Sequence, residues 1–402
     1  MPHSKRRAAL AAAAAITALP LVLAGCSAGS GGSSDSALTI QDYYDTTHDA
    51  IYNGCASDVG VKIKIDHIPY DGLMPKVLQQ ASSKTLPDVL MLDLPNIAEI
   101  AKSGALAPLD QFKVSTTGMA DGIVKAGSYK GKLYGLAPAV NTLALFYNKD
   151  LFAQAGIQTP PTTWAEMKAD AKTLTSGDRY GIGLSTKGAE DGTWEFLPFM
   201  WSNGADEDAI DSPKAVEALE YVKSLQDDGV LSKSSVAWDQ TAVDEQFIAG
   251  KAAMQIAGPY QIPTIQKSKV NWGSVPIPSP TGAPSVTPLG GEGFTVPQTG
   301  DADKMAKSAK FVECLNSPKN QEAVAKLSET VPSDTATASE MGKSDATLAA
   351  FITAVRTARS RTAIVGDQWP ATSKRIYTAV QLAMTGKATP AEALKTAQNE
   401  KD

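Results

Sequence analysis

Histidine is nearly absent from this 402-residue chain, which holds only His3, His48 and His67. Neither His48 nor His67 has a cysteine or a second histidine at metal-ligand spacing, so no metal site is read and no cofactor is implied. There is no G-x-S-x-G, no Walker A loop, no H-E-x-x-H and no G-x-G-x-x-G following a strand. The commonest hydrolase, nucleotide and dinucleotide signatures are therefore excluded. A basic excess is missing too: 37 basic residues stand against 43 acidic ones, a formal charge of −6. Without a clustered Lys/Arg face to neutralise phosphates, nucleic acid is excluded as a partner. Beyond the N-terminal stretch no apolar run is long enough to cross a bilayer. The acidic group Asp206, Glu207, Asp208 and Asp211 lacks the ligand spacing and central glycine of an EF-hand, and reads as a solvated loop.

The N-terminal stretch itself is informative. Lys5, Arg6 and Arg7 precede an apolar run from Ala8 to Leu23, followed by Leu23-Ala24-Gly25-Cys26. A positive segment, an apolar segment and small residues before a cut are the parts of a secretory signal. With the cysteine, the whole resembles a bacterial lipoprotein leader. That resemblance implies removal of residues 1–25 and diacylation of Cys26, and two acyl chains suffice for stable anchoring. Ser27 to Ser36 (SAGSGGSSDS) are too small and polar to bury surface, so residues 26–36 read as a lipid-anchored flexible linker. Cys55 and Cys314 remain, an even pair in an oxidising compartment. A disulfide and two separate buried thiols both stay open, because sequence does not show whether their Cα atoms approach.

The remaining length exceeds what one hydrophobic core supports, so two lobes are expected. Val61, Ile63 and Ile65 alternate with Lys62 and Lys64, as in a strand with one wet face, and Val89 to Leu92 is continuously apolar, as in a parallel strand covered on both faces. Thr163 with Glu166 forms a capping box ahead of Trp164, Met167, Ala171 and Leu174 on one helical stripe. Ser212-Pro213 starts a second helix, with Ala215, Ala218, Val222 and Leu225 inward and Gly229 as its stop. Thr389 and Glu392 repeat the box near the end. Interleaved strands and helices predict α/β architecture with mainly parallel sheets flanked by helices. The Pro- and Gly-rich stretch from Val275 to Pro297 reads as a linker or hinge.

Aromatic residues cluster beside Gly, Pro, Asp and Asn rather than inside apolar runs: Tyr43, Tyr44, Tyr70, Trp194, Trp201, Trp238, Tyr260, Trp272 and Trp369. Such rings can stack on the C–H face of a sugar while nearby carboxylates and amides meet its hydroxyls, the mixture a small-ligand cleft needs. Asp42, Asp45, Asp93, Asn141, Glu195, Asp239 and Glu292 are the polar candidates. About half of the rings are expected to be core instead, since amphipathic rings are commonly part-buried.

PDVLMLDLPNIAEIAKSGALAPLD (Pro87 to Asp110), GKLYGLAPAVNTLALFYNKDLFAQAG (Gly131 to Gly156) and PPTTW (Pro160 to Trp164) resemble the extracellular solute-binding proteins of carbohydrate ABC importers, the maltose-binding protein class. GTWEFLPFMWSNGA (Gly192 to Ala205), FIAGKAAMQIAGPY (Phe247 to Tyr260), GGEGFTVP (Gly290 to Pro297) and TGKATPAEALKTAQ (Thr385 to Gln398) follow in the family's order. The resemblance implies a two-lobed periplasmic-binding-protein fold with a hinge of crossing segments near Val140, Pro278 and Pro332. Lobe 1 would comprise residues 37–139 and 279–332, and lobe 2 residues 140–278 and 333–402. It implies Trp194 and Tyr260 as stacking residues of the second lobe, Asp93 on the first-lobe side, Asn141 on a hinge strand and Gly291-Glu292 just before a first-lobe strand. Asp93 also lies at the carboxyl end of a buried strand, where open α/β sheets place ligands, and Tyr43, Tyr44 and Asp45 follow the first strand by the same logic. Glu195 stands as one of the polar candidates, while Trp238, Asp239 and Trp369, where the local match is looser, are added from composition.

The implied function is a monomeric receptor, lipid-anchored on the extracellular face of a bacterial cell membrane. It would capture a sugar, an oligosaccharide by the number of rings, and deliver it to a permease with an associated ATPase. Membrane contact would run through the anchor only. The rival class is an anchored glycosidase, which would need two acids facing a scissile bond at fixed separation; the chain offers many acids but no privileged pair. A third reading keeps the fold and binds a non-sugar solute.

Overall fold

The computed structural model describes residues 37–345 and 347–400. The leader, Cys26 and the linker to Ser36 lie outside the described residues. In chain order the strands are β1 (Leu38–Asp42), β2 (Ile63–His67), β3 (Val89–Asp93), β4 (Ser128–Tyr129), β5 (Lys132–Leu133), β6 (Gly135–Leu136), β7 (Ala139–Asn141), β8 (Ala144–Asn148), β9 (Tyr180–Gly183), β10 (Ala252–Ala257), β11 (Trp272–Val275), β12 (Pro288–Thr295), β13 (Val331–Pro332) and β14 (Arg359–Ser360). One sheet runs β13-β7-β12-β3-β1-β2, with β6 and β14 also on β12; a second runs β11-β8-β10-β9; β4 and β5 form a small hairpin.

The apolar patterns act as the sequence requires. Val89 to Leu92 are fully buried in β3, whereas β2 alternates between half-buried and exposed positions, its lysines outward. The helix Trp164–Leu174 carries the capping box of Thr163 and Glu166 and buries Trp164, Met167, Ala171 and Leu174. In the helix Pro213–Asp227, Ala215, Ala218, Val222 and Leu225 are buried, and Gly229 beyond its end takes φ 73°, a left-handed conformation that costs glycine little. Both stripes join the core under the second sheet. A second core lies under β1, β3 and β12, and a third cluster continues from Leu90 and Leu92 into Phe146 of β8 and Ala257 of β10. Two sheets with their own cores give the two-lobed α/β class.

Strand direction corrects the expectation of mainly parallel sheets. β1 pairs in parallel with β2 and β3, and β10 with β9. β3–β12, β12–β7, β7–β13, β8–β10 and β8–β11 are antiparallel. In the large sheet the antiparallel pairs of β12 with β3 and β7 arise where the chain returns from the other sheet along β12. A second correction concerns Val275 to Pro297. Eight of those residues form β12, at the centre of the large sheet, and Gly291 and Glu292 lie inside that strand rather than before it. Its proline is the first strand residue, a position that tolerates a missing N–H.

Only Thr142 and Leu143 separate β7 on the large sheet from β8 on the second, and the chain returns between Val275 and Pro288. Beyond β13, Phe351 packs against Phe146 of β8 at 5.8 Å between ring centroids. Cys55, in the helix Asp49–Val59, is disulfide-bonded to Cys314, in the helix Ala302–Leu315.

Candidate functional site

A cavity of roughly 630 Å3 opens at the C-terminal end of β3, against the middle of β12. Tyr43, Tyr44, Asp93, Asn141, Trp194, Tyr260, Gly291 and Glu292 all line it, so the structure gathers eight of the sequence-selected residues in one place.

The ladder sets Glu292 directly opposite Asp93. Two carboxylates in that relation repel one another unless other groups compensate. Here the hydroxyls of Tyr43 and Tyr44 donate to Glu292 Oε1 and Oε2, at 2.5 and 2.9 Å. Burial, reinforced by Glu292, holds both phenols well above their usual pKa, so they remain donors. Glu292 itself is pushed upward by burial and by Asp93, against the pull of the two tyrosines.

Asp93 is answered by Arg361, a residue that sequence reasoning missed. Its guanidinium donates to Asp93 Oδ1 and Oδ2 at 2.8 and 3.0 Å and to Glu190 Oε1 at 2.9 Å, with the arginine side chain only 4% exposed. It lies 4.6 Å from the ring centroid of Trp194 and 6.0 Å from that of Trp369. Burial alone would lower the arginine's pKa; the charges of Asp93 and Glu190 raise it further, so it stays cationic. Its Nε–H has no acceptor among the described residues, which leaves one buried donor at the cavity wall. One guanidinium nitrogen thus holds both Asp93 oxygens and the other holds Glu190, charge-assisted bonds that are stronger than neutral ones.

Two glycines allow the wall to close. A Cβ on Gly290 would lie 2.2 Å from Asn141 Oδ1 and 2.7 Å from the Trp194 ring, and Gly291 takes φ 136° with Val140 and Ala139 tight behind it. On the far side, Tyr260 follows Gly258-Pro259 and donates its hydroxyl to Gln240 Oε1 at 2.9 Å. Lys187, Glu190, Asp191 and Tyr70 complete the polar and aromatic lining.

Asp42, Trp201 and Trp272 do not line the cavity, nor do five more of the selected residues. Asp45 caps the turn Thr46–His48 by accepting from the Thr47 N–H. Asp239 caps the helix Gln240–Ile248 and pairs with Lys187 at 3.6 Å. Trp238 adjoins it, its carbonyl accepting from Ser185 Oγ at 2.7 Å. Glu195 is fully buried behind Trp194, accepting from the Ser185 N–H at 2.6 Å, with its carboxyl pushed well up by burial. Trp369 is 2% exposed within the core under the second sheet. Strand-end position selected Asp45 and residue type the other four, but helix starts and packing claim their side chains.

Rings, fixed carboxylates and one buried cation can hold a polyhydroxylated molecule by stacking and hydrogen bonds. Three of the lining acids are engaged by partners: Asp93 and Glu190 by Arg361, Glu190 also by Ser373, and Glu292 by two tyrosines. Among the described residues no cluster of His, Cys, Asp and Glu could hold a metal ion.

Two cored sheets, short crossings and a cleft lined from both define the class of two-lobed solute-binding proteins. The chain belongs to the bacterial extracellular solute-binding protein family, whose model matches residues 50–350. That is a family of receptors rather than enzymes. A binding protein of Brucella abortus is 31% identical over 244 residues, 57% of this chain; the match spans only 58% of that relative's length. The maltooligosaccharide ABC transporter solute-binding lipoprotein of Streptococcus pneumoniae is 25% identical over 86% of this chain and 85% of its own. Among solved structures, the cyclic α-maltosyl-1,6-maltose binding protein of Arthrobacter globiformis superposes with a TM-score of 0.78 at 26% identity, covering 90% of this chain and 97% of that one. The GacH receptor of Streptomyces glaucescens, determined unliganded and with acarbose, also gives 0.78, at 25% identity over 90% of this chain and 96% of its own.

Proposed function

We propose that this chain is the extracellular receptor of an ABC importer, capturing an oligosaccharide between its lobes and presenting it to a membrane permease driven by an ATPase on the inner side. The observation that carries this reading is the convergence of Trp194, Tyr260, Tyr43 and Tyr44 with Asp93, Glu292 and Arg361 on one cavity. Flat apolar faces alternating with fixed acceptors and donors suit the two surfaces of a pyranose ring. The sugar-binding relatives and structural neighbours support it.

Lobe 1 is built on the large sheet and lobe 2 on the sheet of β8 to β11, the chain crossing between them at Thr142-Leu143 and again between Val275 and Pro288. Contacts from both lobes exist together only when the cleft is shut, so ligand shifts the population toward the closed form that the permease reads. Residues 1–25 are the signal peptide, Cys26 carries the lipid, and residues 26–36 are the tether that keeps a monomeric receptor beside its transporter. The site binds sugar without cleaving it: Asp93, Glu190 and Glu292 are committed to partners in the fold, and no two acids are set apart as a facing pair.

Thermal unfolding with and without maltotriose, cellobiose or xylobiose tests the reading, since a ligand that binds only the folded state raises the transition. At least one sugar should raise it and be recovered intact by chromatography. No shift with any oligosaccharide, or cleavage products, would overturn it.

A further inference from the structure

Tyr70 is the one ring of the cavity that the fold leaves largely uncovered. It lines the cleft yet is 57% exposed, whereas Trp194 is 6% exposed. Only four large apolar side chains are exposed among the described residues, and two of them, Tyr70 and Leu327, border this cavity. Isolated exposed apolar groups need no explanation, but two at the mouth of a binding cleft do.

The mounting of Tyr70 is rigid. It is the first residue of the helix Tyr70–Ser83, directly after Pro69 with φ −51°. The Ile68 N–H donates to Asp42 O at 2.8 Å and the Gly72 N–H to Pro69 O at 2.8 Å, tying the short lead-in to the end of β1 and to the first helical turn. Its ring meets Tyr43 edge-on, with centroids 5.0 Å apart and planes at 89°. The T-shaped contact fixes the orientation, and the exposure of the residue leaves ring surface open to a ligand. Its hydroxyl makes no hydrogen bond among the described residues, and the charges that act on it are those of Asp93, Arg361, Glu190 and Asp191, all lining the same cavity. A ring held this way costs little side-chain entropy when a ligand stacks on it.

We propose that Tyr70 is the platform of an outer sugar subsite, engaging a pyranose unit beyond those held by Trp194 and Tyr260, and so setting the ligand length that the cleft rewards. Leu327, Ser328 and Thr330 supply the neighbouring wall of that subsite. The proposal rests on the sugar-receptor reading above and adds to it a residue and a direction of growth.

Titration calorimetry on gluco-, cello- and xylo-oligosaccharides of two, three and four units, with wild type, Tyr70→Ala and Tyr70→Phe, tests it. Wild-type affinity should rise with length. Tyr70→Ala should lose about three- to tenfold more affinity on the longest sugar than on the disaccharide, the worth of one aromatic contact, while Tyr70→Phe keeps the increment. An equal loss at every length, or no loss at any, overturns the outer subsite while leaving the receptor reading intact. Failure of the wild type to bind any sugar of the panel overturns both.

Discussion

Replacing Arg361 with glutamine should expose how much of the cleft depends on one buried cation. The side chain makes two bonds to Asp93 and one to Glu190 and packs over Trp194. Removing one partner of a buried ion pair costs about 3–5 kcal/mol, because the other charge is left uncompensated. Asp93 is 17% exposed and Glu190 36%, so water relieves part of that strain, and the expected loss is at the lower end, about 3 kcal/mol. The pH dependence gives the sharper signature. Burial already holds the carboxyls of Asp93 and Glu190 above their ordinary values while Arg361 pulls them down. Without the arginine they rise further. An acid whose folded pKa exceeds its unfolded value loses stability as pH rises and regains it as pH falls through the folded value. Denaturant unfolding followed by tryptophan fluorescence should therefore show the largest deficit of Arg361→Gln near pH 8 and a smaller one near pH 5. A variant as stable as wild type at pH 8, or a deficit that grows on acidification, would refute the reasoning.

Trp194→Ala and Tyr260→Ala should each weaken sugar binding by about 1–3 kcal/mol with the fold retained, and calorimetry giving wild-type affinity in both would remove them from the site. His48, 5% exposed and stacked on Tyr44 at 4.0 Å, is lowered by burial to about 4. Its unfolded form takes a proton near pH 6.5, so its contribution is complete above that pH and about 3 kcal/mol is lost as pH falls toward 4; His48→Gln should flatten the unfolding-versus-pH curve across this window. The Cys55–Cys314 bond spans 259 residues of sequence, and the chain-entropy account assigns such a loop up to about 5 kcal/mol. Unfolding in reductant, or of the double alanine variant, should show a loss of a few kcal/mol, and an unchanged midpoint would contradict that account.

Local signals in the sequence were legible because local physics decides them. Both capping boxes form, at Thr163 with Glu166 and at Thr389 with Glu392. The apolar run Val89 to Leu92 is the buried strand that delivers Asp93 to the cleft. β12 was hidden by its own composition: Pro288, Gly290, Gly291 and Gly293 punctuate it like a loop, yet these glycines are where other groups come close. A Cβ on Gly293 would lie 2.6 Å from Ile97, much as one on Gly290 would strike Asn141 and Trp194. That demand belongs to tertiary packing and leaves no periodic trace.

The site divides in the same way. Residues at the carboxyl ends of strands or beside a Gly-Pro turn were found. Arg361 was not, since the run ARSRT gives no cue that it meets Asp93 and Glu190, 268 and 171 positions away. Trp369 and Glu195 were selected by residue type alone, and residue type does not tell a ring or carboxyl facing the cleft from one facing the core.

The most direct test of the central claim is a calorimetric titration of the protein with a panel of intact oligosaccharides, with each sugar checked by chromatography afterwards. The account predicts saturable one-to-one binding of at least one of them, abolished or sharply weakened by Trp194→Ala, with the sugar recovered unaltered. Absence of heat with every sugar, or a shortened sugar after incubation, would contradict it.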